Sequence, residues 1–364
     1  MPFLFSSFFF PSESIPNRLT YNLLLFVVAL DKGRLIPIMT PNEPHERMHF
    51  DIFNGDADGI LSLLQLRLVE PKSATLVTGV KRDIQLLERV DAQSGDTLTV
   101  LDISMAKNQP ALQRLLAAGA SVFYADHHQT GDIPQHSALD AHIHLNPNMC
   151  TALIIDELLQ GQCHEWAITA AYGDNLIERA DALAQAASLD AQQRAQLCEL
   201  GTLINYNGYG ADLDDLHMHP ADLFQALLPY ASPFDMLADP ASPYVPLKQA
   251  YREDMAQIHA LQADYSSEKV ELFRLEDSPT SRRISGILGN QLANQTPQKA
   301  HVVVTTNPQG ALMISLRAPL ANKQGAGTIC SQFATGGGRE AAAGINALAE
   351  ENLPQFIAAI EAYY

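Results

Sequence analysis

Carboxylate and imidazole side chains gather at four points of this sequence, and each point follows a strand-like or apolar segment. They are Asp56 and Asp58 in the run Asn54-Gly55-Asp56-Ala57-Asp58-Gly59, then Asp102, the triplet Asp126-His127-His128, and Asp174. In an open parallel sheet, ligands bind beyond the carboxyl ends of the strands, so the first three groups are expected to converge in one cleft. Packed carboxylates repel one another unless cations neutralise them. The pattern therefore predicts a centre for hard divalent cations, Mn²⁺ or Mg²⁺.

Taken singly, the same residues have plainer interpretations. Asp56 and Asp58 could form only a turn, and Asp102 or Asp174 could cap a helix. An EF-hand is disfavoured, because apolar helix-like sequence at 64–66 stands where such a loop needs a glutamate. Two histidines directly after a strand are harder to explain by packing. The joint pattern at one sheet edge therefore favours a functional centre over four unrelated structural residues.

The segments between these side chains alternate between strand-like and helix-like patterns from Met48 onward. Strands are predicted at 49–54, 75–80, 98–103 and 122–125, and helices at 59–68, 83–90 and 109–117. Such repeated units predict a parallel sheet covered by helices. The sequence from 151 to about 263 is mostly helical. Strand patterns return at 270–275, 302–306 and 311–316, followed by a glycine-rich loop at 336–338 and a helix at 353–363.

The predicted fold is therefore an α/β chain in several parts. Residues 48–200 form a parallel-sheet domain, 201–268 a helical connector, and 269–364 a smaller α/β domain. Residues 1–47 are predicted to be an extension or disordered tail, since regular alternation begins only at Met48. The apolar run at 21–30 is shorter than the roughly 20 residues of a membrane-spanning helix, and no basic segment of a secretory signal precedes it.

Composition limits the classes of partner. The chain has 364 residues, a formal net charge of −18 and a pI near 4.9. Proteins that coat long nucleic acids are usually basic, so a nucleotide ligand is expected to be short and held in a local pocket. The four cysteines form no CxxC pair, which disfavours a zinc knuckle and indicates a reducing, cytoplasmic compartment. A homodimer is left open. The pair Arg282-Arg283 could face substrate, but a solvated turn is the favoured expectation.

Four ordered motifs resemble those of the DHH phosphoesterase superfamily. They are Asp56-Ala57-Asp58-Gly59, Leu101-Asp102-Ile103-Ser104, Asp126-His127-His128 and Gly173-Asp174-Asn175. Further along, Ser315-Leu316-Arg317 and the stretch from Gly336 to Gly344 resemble the DHHA1 domain of its RecJ and nano-RNase branch. The similarity covers Met48 to the C-terminus apart from the connector. It implies a DHH catalytic domain at 48–200 and a DHHA1-type substrate-binding domain at 269–364.

This resemblance implies a role for each site residue and two Mn²⁺ or Mg²⁺ ions per active site. Asp56 would bind one ion and Asp58 the other, Asp102 would bridge both, and His127 with Asp174 would complete the second position. His128 would face the substrate and assist protonation of the leaving oxygen. The substrate phosphate would be held by Arg317, the amides of Gly336, Gly337 and Gly338, and Arg339.

Two positions depart from the family pattern. Many members carry a His or Asp near the start of the first motif that also binds metal, whereas this chain has Ile52 and Asn54 there. Asn offers only a neutral carbonyl, so the first ion is expected to bind more weakly. The glycine-rich stretch normally ends in His, but here it ends in Arg339. Arginine can clamp a phosphate but cannot do acid–base work, which suggests an altered substrate preference.

The leading hypothesis is a two-metal phosphoesterase that hydrolyses short oligonucleotides or small nucleotides. One alternative is a RecJ-like single-strand 5′ exonuclease, which in larger relatives relies on an additional nucleic-acid-binding domain. Another is a non-catalytic nucleotide-binding or sensor protein, which the departures at Asn54 and Arg339 would suit. Polyphosphate or pyrophosphate hydrolysis is also open, although the glycine-rich stretch favours nucleotides.

Overall fold

The computed structural model describes residues 28–31, 34–37, 47–256 and 261–364. The chain divides into two units, Met1–Glu46 and Arg47–Tyr364. In the first unit the described residues form an antiparallel hairpin of β1 (Val28–Asp31) and β2 (Arg34–Pro37). The sequence pattern did not indicate this hairpin. The rest of the predicted extension before residue 47 lies outside the described residues.

The second unit begins with a five-stranded parallel sheet in the order β4-β3-β5-β6-β7. Its strands are β3 (His49–Phe53), β4 (Thr75–Val77), β5 (Thr97–Leu101), β6 (Ser121–Asp126) and β7 (Leu139–Ile143). The first two covering helices are α1 (Ala57–Val69) and α2 (Met105–Ala117). Apolar side chains form one core on each face of this sheet, so the strands are buried as the sequence predicted. The edge strand β7 was not anticipated.

One predicted helix of this region is wrong. The segment 83–90 contains only a short 3₁₀ turn at Leu86–Arg89. Asn108 on α2 explains the difference. Its side-chain oxygen accepts a hydrogen bond from the amide of Leu87, and its side-chain nitrogen donates one to the carbonyl of Ile84. These contacts replace the backbone hydrogen bonds that a full helix would make.

A helical layer follows the sheet. It comprises α3 (Thr151–Leu158), α4 (His164–Gly173), α5 (Ile177–Ala186), α6 (Ala191–Asn207), α7 (Pro220–Leu227), α8 (Pro233–Ala238) and α9 (Tyr244–Ala256). Helices α4 and α6 approach closely at Gly173 and Gly201, where a Cβ on Gly201 would stand 2.1 Å from the carbonyl oxygen of Thr169. This close approach fixes the carboxyl end of α4, where Asp174 lies. Among the described residues, none of the helices has both the length and the apolar character needed to span a membrane.

The C-terminal region forms a six-stranded mixed sheet in the order β12-β13-β11-β10-β9-β8. Its strands are β8 (Tyr265–Ser266), β9 (Val270–Arg274), β10 (Ala300–Thr306), β11 (Leu312–Arg317), β12 (Gly336–Gly338) and β13 (Ala342–Leu348), and its helices are α10 (Pro279–Gln295), α11 (Ala326–Cys330) and α12 (Leu353–Tyr363). Only β9 and β10 pair in parallel. This sheet has its own apolar core.

The glycine-rich segment is a strand rather than the predicted loop. Gly336, Gly337 and Gly338 pair with Ile345, Gly344 and Ala343 along the edge of the sheet. A side chain would not fit here, since a Cβ on Gly336 would lie 1.8 Å from the carbonyl oxygen of Cys330. The glycines therefore allow close backbone packing, which the sequence pattern for a phosphate-binding loop did not reveal.

Buried ion pairs connect the helical layer to the second sheet. Arg282 and Arg283, expected in a solvated turn, lie instead in α10. Arg282 Nε donates to Asp215 at 2.7 Å, and Arg283 Nε donates to Asp254 at 2.6 Å. Each arginine makes a two-pronged contact with its carboxylate, which fixes orientation as well as proximity. The expectation of a solvated turn was wrong because their partners stand far away in sequence.

We expect deletion of residues 1–47 to leave stability nearly unchanged. The described apolar cores consist entirely of residues from Phe50 onward, so a chain that starts at Met48 keeps all of them. Thermal melts of the full and shortened chains should agree within about 2 °C, which corresponds to under about 1 kcal/mol for a protein of this size. A larger loss, or insolubility, would show that the first segment packs onto the rest.

Candidate metal centre

Each predicted site residue emerges from the carboxyl end of a strand or from a helix end beside it. Asp56 follows β3, Asp102 follows β5, and His127 and His128 follow β6, while Asp174 caps α4. All five line one cleft between the parallel sheet and the second sheet. The sixth, Asp58, is buried behind them in the first turn of α1. The sheet-edge argument thus brought these residues together as the sequence predicted.

The first motif is a tightly packed strand-to-helix turn. Asp56 caps α1 by accepting the amide of Gly59 at 3.0 Å. Gly59 has no room for a side chain, because a Cβ would stand 2.2 Å from the carbonyl oxygen of Asn54. The Asn54 side chain accepts the Asp56 amide at 3.2 Å and donates to the carbonyl of Lys81 at 3.1 Å. Asn54 therefore organises the turn with both ends of its amide.

His127 presents one bare nitrogen to two buried carboxylates. Its Nδ1 lies 2.7 Å from the carbonyl oxygen of Met149 and must carry the proton that it donates there. Its Nε2 lies 3.2 Å from Asp102 Oδ1 and 3.4 Å from Asp58 Oδ2. Burial, followed by the positive charge of Arg339, lowers the pKa of His127, so the ring is neutral. A neutral ring fixed at Nδ1 is the form that ligates a cation through Nε2.

Asp58 and Asp102 are buried carboxyl groups that pair with no lysine or arginine in the described part of the chain. Burial, and then the charge of Asp102, raises the pKa of Asp58 to about 8. Burial, and then the charge of Asp56, raises the pKa of Asp102 well above its usual range. Asp58 is held by two amides at the start of α3, from Thr151 at 2.8 Å and Ala152 at 2.7 Å. These residues fit a divalent cation, which would remove the repulsion between them.

Two sets of side chains have the spacing of metal ligands. One comprises Asp58, His127 and Asp174, and the other comprises Asp102, His127 and His128; in each, the ligand atoms lie within 4.8 Å of one another. His127 belongs to both but has only Nε2 free. The first set matches the second metal position that the family resemblance implied.

Asp56 and Asp174, in contrast, are each paired with a basic side chain. Lys81 Nζ donates to Asp56, and the Arg339 guanidinium grips both oxygens of Asp174 at 2.6 and 2.7 Å. Burial alone would raise the pKa of each carboxyl group, but Lys81 lowers the pKa of Asp56 to about 2 and Arg339 lowers that of Asp174. The sequence did not single out Lys81, although it follows β4 at the same sheet edge.

His128 is supported by a carboxylate to which the sequence assigned no role. Its Nδ1 donates to Asp126 Oδ1 at 2.7 Å, and Asp126 is fully buried. Burial would lower the pKa of His128, but the charge of Asp126 outweighs it and raises the pKa to about 9. The ring is therefore protonated at neutral pH, which suits a donor of a proton to a leaving group.

The opposite wall of the cleft carries basic groups without acidic partners. Arg317 is 9% exposed. All the contacts of its guanidinium in the described part of the chain are to neutral oxygens, including those of Asn290, Ser315 and Tyr209. A buried guanidinium that meets only neutral acceptors can still attract an anion.

Among the predicted glycine amides, that of Gly336 is already engaged. Gly337 and Gly338 line the cleft, but the amide of Gly336 donates to the carbonyl of Phe333 at 2.9 Å. Gly336 is therefore not a phosphate donor in this structure, which corrects that part of the expectation. Gly337 instead leaves room for Lys107, whose Cε would lie 3.2 Å from a Cβ at this position.

Comparison with known proteins supports the fold. Residues 269–364 match the DHHA1 domain family. Among solved structures, a DHH-domain protein described as a member of the s1p family of ribosomal proteins superposes with a TM-score of 0.55 at 13% identity, over 87% of this chain and 86% of that chain. No curated protein sequence gives a significant match.

Two further structures share the same architecture. Exonuclease RecJ bound to manganese superposes with a TM-score of 0.53 at 18% identity, over 87% of this chain and 90% of that chain. PggH, a pGpG-specific phosphodiesterase from Vibrio cholerae, gives a TM-score of 0.50 at 17% identity, over 87% and 99%. At these identities the likeness concerns the fold. It confirms the predicted fold class, a parallel-sheet domain followed by a smaller α/β domain.

Proposed function

We propose that the chain, whose residues 269–364 match the DHHA1 family, is a member of the DHH/DHHA1 superfamily and a metal-dependent phosphoesterase of short oligonucleotides or small nucleotides. One observation carries the proposal. The bare Nε2 of His127 faces two buried carboxyl groups, Asp58 and Asp102, which pair with no lysine or arginine among the described residues, inside a cleft whose other wall bears Arg317. A cation-binding cluster opposite an anion-binding group suits a phosphate ester.

The five acidic and imidazole ligands named from the sequence would hold Mn²⁺ or Mg²⁺ at up to two positions. A divalent cation bound there lowers the pKa of an attacking water and stabilises charge on the phosphoryl group. The protein's own residues supply the rest of the chemistry. Asp58 and Asp102 provide the negative charge, Met149 holds the His127 ring in its binding tautomer, and His128 holds a proton close to where a leaving oxygen would develop charge.

The cleft supports a small substrate. Its volume is about 210 Å³, which is the scale of a small-molecule pocket rather than a duplex groove. The net charge of −18 would repel a long polyanion. RecJ-like exonuclease action on long single strands is therefore the less favoured alternative. The polarity of cleavage is tested below.

A second candidate function is nucleotide binding without turnover. The observation that favours it is the pairing of two predicted metal ligands, Asp56 and Asp174, with Lys81 and Arg339. If these pairs persist, the chain would bind a nucleotide in the cleft and release it unchanged. Equilibrium binding combined with product analysis separates this function from hydrolysis.

A substrate panel tests the proposal. Dinucleotides to pentanucleotides, 3′-phosphoadenosine 5′-phosphate, cyclic dinucleotides and polyphosphate would be incubated with the full chain and Mn²⁺. We expect release of nucleoside monophosphates from the shortest linear substrates, at rates that fall with length, and little release from polyphosphate. End-labelled pentanucleotide gives the polarity. Binding of the short substrates without any product would favour the second candidate and contradict hydrolysis.

The role of His128 gives a separate prediction. We expect His128→Asn to lower kcat by about 10²–10⁴-fold on nucleotide substrates, because the leaving oxygen loses its proton donor. With a p-nitrophenyl ester, whose leaving group needs no proton, the loss should shrink to under about tenfold. Steady-state kinetics on both substrates checks this. Equal losses on the two esters would mean that His128 acts in another way.

A further inference from the structure

Arg339 stands where the glycine-rich stretch of the resembling family normally ends in His. It follows the edge strand β12, and so belongs to the second sheet, yet it reaches Asp174 at the end of α4. Its two terminal nitrogens donate to the two carboxylate oxygens at 2.6 and 2.7 Å. Both oxygens that could ligate an ion are thus engaged by one guanidinium.

This contact is buried rather than a loose surface pair. The Arg339 side chain is 17% exposed and that of Asp174 is 5% exposed. A two-pronged arginine–carboxylate pair in such surroundings is among the stronger interactions between side chains. An ion arriving at Asp174 must therefore compete with a partner that is already bound and properly oriented.

The other buried carboxyl groups of the cluster differ in whether they have a basic side chain as a partner. Three of its five buried carboxylates have a basic neighbour of their own: Asp56 has Lys81, Asp126 has His128, and Asp174 has Arg339. No lysine or arginine in the described part of the chain pairs with the two that remain, Asp58 and Asp102, which lie 3.4 Å and 3.2 Å from His127 Nε2. A divalent cation at these two carboxyl groups would meet no competing lysine or arginine, whereas a cation at Asp174 would have to displace Arg339.

We propose that Arg339 is a built-in cation that takes the place of one divalent ion at the position formed by Asp58, His127 and Asp174. In the wild-type chain Asp174 is then a partner of arginine and does not ligate metal. Tight binding is limited to a single ion, which Asp58 and Asp102 hold. This inference rests on the proposed metal-dependent function and defines how many ions that function uses.

A double-mutant cycle on Mn²⁺ binding tests the proposal. Mn²⁺ would be titrated into the full-length wild type, Arg339→His, Asp174→Asn and the double variant, with free Mn²⁺ followed by its six-line electron paramagnetic resonance signal. We expect one tight ion in the wild type and two in Arg339→His, the second tightened at least tenfold. Asp174→Asn should change wild-type affinity by less than about threefold, yet abolish the gain in the Arg339→His background.

The control is Lys323→Met, which removes another basic group that lines the cleft. Lys323 contacts only Asn148, at 3.5 Å, among the described residues, so Mn²⁺ stoichiometry should stay at one. Two tight ions in the wild type would overturn the proposal. A loss of tenfold or more on Asp174→Asn in the wild-type background would overturn it as well, since Asp174 would then be a ligand. Thermal melts establish that each variant is folded.

The Mn²⁺ titration tests the role of Arg339 separately from the proposed hydrolysis. If the wild type binds one tight ion but hydrolyses no substrate, the proposed function fails while Arg339 keeps its role. If the wild type hydrolyses nucleotides with two equally tight ions, the function stands and the role of Arg339 is refuted. Hydrolysis with one tight ion supports both.

Discussion

Replacing Asp102 with asparagine is expected to lower kcat by on the order of 10³-fold while leaving the protein folded. Asp102 lies beside both histidines of the cluster, 3.2 Å from His127 Nε2 and 3.6 Å from His128 Nδ1. Loss of its charge would remove several kcal/mol of transition-state stabilisation, and about 4 kcal/mol corresponds to that factor. Rates with saturating Mn²⁺ and thermal melts provide the measurement.

Asparagine is the appropriate replacement because of the backbone. Asp102 has a φ of 59°, a conformation that asparagine tolerates better than alanine. Removing a buried, repelled carboxylate should leave the melting temperature unchanged or raise it. Asp132→Asn is the matched control, because Asp132 is exposed and lies outside the cluster. Near wild-type turnover in Asp102→Asn would contradict metal-assisted hydrolysis at this cluster.

Replacing Arg317 with alanine should mainly weaken substrate binding. Its guanidinium faces the cleft and meets only neutral oxygens within the described ranges, so a substrate phosphate would be its single anionic partner. Loss of such a charge-assisted contact costs about 1.5–3 kcal/mol, which raises KM by about 10–150-fold. Mn²⁺ affinity should be unchanged. Kinetics on a dinucleotide and a tetranucleotide, with a parallel Mn²⁺ titration, would measure both quantities.

Two variants separate the charge of Arg317 from its packing. Arg317→Lys keeps the positive charge but loses the planar guanidinium that can make two parallel hydrogen bonds. This variant should recover part of the affinity for substrate. Arg274→Ala removes an arginine of the same domain that pairs with Glu350 away from the cleft, and should leave KM unchanged. An unaltered KM in Arg317→Ala, or loss of Mn²⁺ from that variant, would refute the assignment of phosphate binding to the second sheet and metal binding to the first.

Much of the site could be predicted because it depends on local sequence and on a general rule of parallel sheets. Motif residues such as Asp56, Asp102 and His127 follow buried strands, and the carboxyl ends of those strands meet at one edge. The strands β3 to β6 and the helices α1 and α2 were predicted correctly for the same local reason, whereas the helix at 83–90 and the missing β7 were not. The confirmed fold class follows from these elements. The predicted domain boundaries and metal-binding roles remain predictions.

What the sequence could not give are the contacts between distant segments. Asp174 and Arg339 are 165 residues apart, and no periodicity reveals that one grips the other. Lys81 stands on an irregular loop with no motif, although its place after β4 puts it at the edge where ligands gather. The three glycines from 336 to 338 formed a strand instead of a loop, because close contact with Cys330 depends on the folded sheet.

The most direct test of the central claim is metal-dependent turnover of a generic phosphodiester reporter by the full chain. The protein would be stripped with a chelator, assayed, and then titrated with Mn²⁺ and, separately, with Mg²⁺. The account predicts no turnover in the stripped protein, recovery on addition of Mn²⁺, and no recovery in Asp102→Asn. Nucleotide binding that persists with Mn²⁺ while the reporter and every short nucleotide stay intact would contradict it.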